Sequence, residues 1–131
     1  MVRYFGPERR RYKRLAISLP VKYRLGPGGS LHEAHTKDIS AVGVRLGPVS
    51  LANEWMLGSC EVELEITLPH LNRPLKVMAE VVRVEEGKTL DHTHHRRRHD
   101  IRLRFCKIHE EDKKIIADFV EAHSPSKLKV R

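Results

Sequence analysis

The chain has 131 residues, and 25 lysines and arginines outweigh 17 aspartates and glutamates to give a formal net charge of +8. A chain of this length suits one domain that buries roughly two-thirds of its unfolded surface, so it needs no metal or disulfide staple. The basic balance points to an anionic partner, whether nucleic acid, nucleotide, phosphate or acidic membrane face. The charged N-terminus has no apolar h-region and no run reaches membrane-span length. The expectation is therefore a soluble, cytoplasmic protein without membrane insertion.

Residues 1–14 read as a flexible basic arm, with the breaker Gly6-Pro7 and then the cluster Arg9-Arg10-Arg11-Tyr12-Lys13-Arg14. From Leu15 to Leu25 every second residue is apolar, which predicts a half-buried strand. Pro20 cannot donate to a ladder, so that strand takes an edge position or a bulge there. Gly26 to Ser30 is a turn by composition. A second strand is expected over His32–Ile39 and a third over Val42–Leu46. Gly47 to Gly58 reads as a connecting loop anchored by Trp55. Cys60–Leu68 alternates with its glutamates outward, and Leu75–Glu86 is a longer strand with a phase slip at Val81-Val82. Ile101, Leu103 and Phe105 mark the last strand, with Arg102 and Arg104 on its other face.

The period then changes. Ile115, Ile116, Phe119 and Val120 form one helical stripe, preceded by Glu110, Glu111 and Asp112, which suit a helix N-terminus. The helix is expected to end near His123, before Ser124-Pro125. Six short strands and one amphipathic helix predict an all-β fold: an antiparallel barrel or sandwich with a C-terminal helix over an opening or edge. The organisation expected is an arm at 1–14, one domain at 15–123 and a short basic tail at 124–131.

Asp38-Ile39-Ser40-Ala41-Val42-Gly43 interrupts the alternation, since Ile39 and Val42 are an odd number of residues apart. A turn or bulge follows, with Gly43 as the residue able to take a positive φ. Asp38 and Ser40 share a face in extended chain. Taken with Arg10 and Arg14, they suit a ligand that combines guanine with a phosphodiester. Guanidinium groups grip guanine O6/N7 or phosphate. A carboxylate accepts from the guanine N1–H and amine, and glycine lets backbone approach closely.

At these residues the chain resembles the PilZ domain family. Arg10-Arg11-Tyr12-Lys13-Arg14 fits RxxxR and Asp38 to Gly43 fits DxSxxG. The similarity continues through residues 78–84, 101–105 and the closing helix. The resemblance implies a six-stranded antiparallel split barrel with a C-terminal helix. It also implies a bacterial, non-catalytic receptor or adaptor for the second messenger cyclic di-GMP. Arg10 and Arg14 would grip guanine and phosphate, and Asp38, Ser40 and Gly43 would receive the other guanine edge. Arg9 holds a place that in the family often goes with an intercalated ligand dimer. The chain departs from the family pattern twice. Arg102 stands where the last strand usually has glycine, and Val42 stands where many relatives have a second glycine.

Two other readings compete with this one: a general nucleic-acid or anionic-surface binder, and a PilZ-like adaptor that acts only through proteins. The downstream protein is not named by the sequence, and either a monomer or a homodimer is compatible with it. Cys60 and Cys106 have no metal-ligand spacing and are expected to be buried small hydrophobes in a reducing compartment. His92, His94, His95 and His99 crowd segment 88–99, but Arg96-Arg97-Arg98 oppose a cation, so a solvated hairpin tip is expected rather than a metal site. No serine, histidine and acid fall at catalytic spacing, so neither an enzyme nor a cofactor is expected.

Overall fold

A computed structural model describes residues 12–26, 28–50, 62–86 and 98–124. Six strands precede one helix: β1 (Pro20–Leu25), β2 (Leu31–Ile39), β3 (Gly43–Ser50), β4 (Val62–Ile66), β5 (Leu75–Glu86), β6 (Arg98–Lys107) and α1 (Glu110–His123). The strands form a closed barrel in the order β1-β2-β3-β6-β5-β4. Every pairing is antiparallel, and β1 closes the circle on β4 with Val21 opposite Ile66 and Leu25 opposite Val62. The all-β, six-stranded antiparallel barrel with a C-terminal helix is thus the fold observed.

Alternation puts one side chain in two into the lumen. Ile39, Leu46, Leu64, Ile66, Leu103 and Ile116 are all at most 1% exposed, so barrel and helix share one core. On α1 the stripe Ile116, Phe119 and Val120 is buried. Phe119 stacks on His70 and meets the His123 ring at a tilt, and Arg73 Nη2 donates to the buried Asp112 Oδ1 at 3.0 Å.

Several boundaries differ from the sequence reading. The first strand begins at Pro20, not Leu15, because residues 16–19 cannot stay in register with β2. Leu15 bridges Ile39 and Pro20 pairs with His35, so four residues face three. Thr36 absorbs the mismatch: its hydroxyl accepts from Leu19 N–H at 2.9 Å and donates to Ile17 C=O. Pro20 does not mark an edge, since a closed barrel has none; it opens the strand, where a missing N–H is tolerated. The third strand runs on to Ser50 through Gly47-Pro48, which corrects the loop expected from Gly47. Gly47 has φ +155°, and a Cβ there would run into the Asp100 carboxylate. Residues 51–61, with Trp55, lie outside the described residues. The last strand is longer than Ile101–Phe105. The slip at Val81-Val82 is a bulge against β6, and it leaves Val82 43% exposed. Cys106 is exposed, not buried, and Cys60 lies outside the described residues. Phe105 takes the inward position of β6, so Cys106 faces out.

Candidate ligand site on the outer face of the barrel

The corner between β2 and β3 is built by the residues of the hexad. Ser40 N–H donates to Gly43 C=O at 2.9 Å, and Val42 N–H donates to Ser40 Oγ at 3.1 Å. Ser40 is 4% exposed, and its hydroxyl serves this turn. Gly43 does not have the positive φ that the sequence suggested. Its need for glycine has another cause. A Cβ at Gly43 would collide with the backbone oxygen of Leu103 on β6. The absent side chain is what lets the corner press against that strand, and Phe105 N–H then donates to Val42 C=O at 2.9 Å.

Arg14 reaches this corner through a short bridge. Leu15 N–H donates to Ile39 C=O at 2.8 Å and Ile39 N–H donates back to Leu15 C=O at 3.0 Å. Leu15 and Ile39 face the core. Arg14, next to Leu15, is exposed, and Asp38, next to Ile39, lies on the outer face of β2 where it meets Arg45. Tyr12 and Lys13, just before, meet α1 instead. Lys113 Nζ sits 5.1 Å over the Tyr12 ring, and Lys13 Nζ lies 3.3 Å from Glu121 Oε1.

Across the outer face runs a row of charges. Asp38 on β2 is opposite Arg45 on β3, Arg45 is opposite Arg102 on β6, and Arg102 is opposite Arg83 on β5. Arg45 is shared by three carboxylates: Asp38 at 3.8 Å, Glu85 at 3.6 Å and Asp100 at 3.9 Å. Asp100 also takes Lys37 Nζ at 3.2 Å, and Glu85 takes Arg83 at 3.2 Å. The shift of register at Lys37 turns that residue towards Asp100. Burial pushes the Arg102 pKa down and Arg14 pushes it the same way; Asp38 and Glu85 act to raise it, and Arg45 lowers it again. Arg14, Asp38 and Arg102 thus share one field on one face.

Of the residues singled out from sequence, Arg14, Asp38, Ser40 and Gly43 come together here. Arg9 and Arg10 lie outside the described residues. Lys37, Arg45 and Asp100 were missed, because their approach depends on strand register. Arg102 was marked only as a departure at the glycine position, and that oddity was the signal available. Segment 88–97 lies outside the described residues. Among those described, no group of three or more histidine, cysteine, aspartate or glutamate side chains is placed to hold a metal ion. No described helix is long and apolar enough to cross a membrane.

The PilZ domain family model matches residues 8–122 of the chain. The chain belongs to the PilZ domain family. Solved PilZ relatives share its fold at low identity. The inhibitor of motility MotI/DgrA of Bacillus subtilis is similar at 21% identity and TM-score 0.69, over 93% of this chain and 53% of that one. The PilZ domain of YcgR from Escherichia coli, solved with c-di-GMP, is similar at 16% identity and TM-score 0.68, over 94% of this chain and 99% of that one. The PlzA protein of Borreliella burgdorferi, in complex with c-di-GMP, is similar at 15% identity and TM-score 0.59, over 98% of this chain and 57% of that one. This PilZ domain spans about half the length of MotI/DgrA and PlzA and nearly all of the YcgR domain. No curated protein matches the chain by sequence.

Proposed function

We propose that this PilZ domain binds cyclic di-GMP as a non-catalytic receptor or adaptor in the bacterial cytoplasm. The observation that carries the reading is the Leu15–Ile39 bridge. It sets Arg14, the second arginine of RxxxR, on the same outer face as Asp38 of DxSxxG. Arg10 and Arg14 take guanine and phosphate through their guanidinium forks. Asp38 accepts from the N1–H and amine of guanine. Ser40 and Gly43 hold the corner so that backbone lies close to the ligand. Arg9 supports a second, intercalated ligand molecule. Membership of the family and the c-di-GMP complexes of the YcgR and PlzA neighbours support this assignment.

In this reading the ligand clamps arm 1–14 against domain 15–123 and so alters the surface offered to a downstream protein. The test is calorimetry with cyclic di-GMP, cyclic di-AMP and single-stranded DNA on the parent, Arg10→Ala, Arg14→Ala and Asp38→Ala. Each variant is expected to lose about tenfold or more in affinity for cyclic di-GMP, since a good bidentate pair is worth about 1–3 kcal/mol. Equal affinity for all three ligands would favour a general polyanion binder, as the net charge of +8 allows. Variants that bind as tightly as the parent would remove the assigned residues from the site.

A further inference from the structure

The row Arg83, Arg102, Arg45 sets three like charges on directly opposed positions of adjacent strands. Like charges placed so destabilise a sheet. Neighbouring strands are about 4.8 Å apart, so the stems of the three arginines start side by side. Arg83 and Arg45 are relieved by ion pairs, while Arg102 has none among the described residues. The two carboxylates that act on Arg102, Asp38 and Glu85, are both already engaged by Arg45, and Glu85 by Arg83 as well. Arg102 is half-buried, and Arg14 adds its own repulsion to it. A guanidinium without an ion pair of its own, repelled by Arg14 and Arg45, calls for an anion at that point. A neutral purine edge would offer acceptors but would leave the excess positive charge in place.

We infer that Arg102 is a ligand-binding residue that, together with Arg14, takes the phosphodiester of the bound cyclic dinucleotide, and that its charge is held uncompensated for that purpose. The inference rests on the cyclic di-GMP reading above and adds to it a third arginine at a strand position outside both motifs. A phosphate oxygen seated between Arg14 and Arg102 accepts charge-assisted bonds from both. It also removes the repulsion that the row carries without ligand.

The role predicts opposite effects on the free and the loaded protein. Arg102→Gln keeps a long polar side chain on the exposed face but removes the charge. Its cyclic di-GMP affinity, read by calorimetry, is expected to fall at least fivefold below the parent. The melting temperature of the ligand-free variant, read by circular dichroism, is expected to equal or exceed that of the parent, because repulsion is relieved. A loss of less than fivefold overturns the inference. So does a larger loss accompanied by a lower ligand-free melting temperature, which would make Arg102 a structural residue of the barrel. A parent that gives no binding heat with cyclic di-GMP would defeat the underlying reading, a result distinct from a parent that binds and a variant that binds equally.

Discussion

At the scale of single residues, the hexad shows how one motif position can be right for an unexpected reason. Gly43 was read as a turn residue that needs φ freedom. It is required because Leu103 backbone oxygen occupies the space of a Cβ. Backbone of a paired strand cannot rotate away as a flexible side chain can, so Gly43→Ala must part β3 from β6 or tilt the corner. We expect a destabilisation of roughly 1–3 kcal/mol in urea unfolding, the usual cost of forced overpacking. A loss below about 0.5 kcal/mol would mean that the corner has slack. Ser40 is similar: its hydroxyl is spent on Val42 N–H and Gly43 C=O. The type of residue at each motif position was legible in sequence, but its task was not, because the task depends on a strand some sixty residues away in the chain.

At the scale of elements, the helix was the most legible part, since a change of period from two to 3.6 needs no partner to be seen. Its start carries a weakness that the sequence does not advertise. His109 is the N-cap with extended φ and ψ, and its side chain makes no capping bond. His109→Ser places a hydroxyl where it can accept from a free N–H of the first turn, whose acids already suit the dipole. The expected gain is about 0.5–1 kcal/mol in chemical denaturation. No gain would indicate that water already satisfies those donors. The first strand was the least legible element. Leu15 to Leu25 alternates without fault, yet the ladder starts only at Pro20, because pairing is decided by two strands together and Thr36 takes up the odd residue. Just before the Leu15 bridge, Tyr12 and Lys13 meet α1.

At the scale of the whole molecule, net charge and site charge make different demands. A charge of +8 attracts any polyanion, and such attraction falls steeply with salt as counterions are no longer released to advantage. A cyclic dinucleotide has only two phosphates and no condensed counterion atmosphere. Its binding is therefore expected to weaken with a log–log slope on the order of one to two between 50 and 200 mM salt, against a much steeper slope for single-stranded DNA. Parallel titrations at several salt concentrations check this, and equal slopes for both ligands would assign cyclic di-GMP binding to the general field rather than to a site.

Alternation, turn composition and one helical stripe were enough to determine six short strands and a C-terminal amphipathic helix in an antiparallel barrel or sandwich, because those patterns are local and each strand displays its own inward face; the closure of β1 on β4 into a barrel is tertiary. The same local reading found Arg14 and the Asp38–Gly43 corner as residue types suited to a guanine-bearing anion. Only the tertiary structure decided that Leu15 bridges Ile39, that Gly43 yields space to β6, and that Arg83, Arg102 and Arg45 fall in one row. Those facts follow from strand register and bulges, and register is a property of paired strands rather than of any one segment.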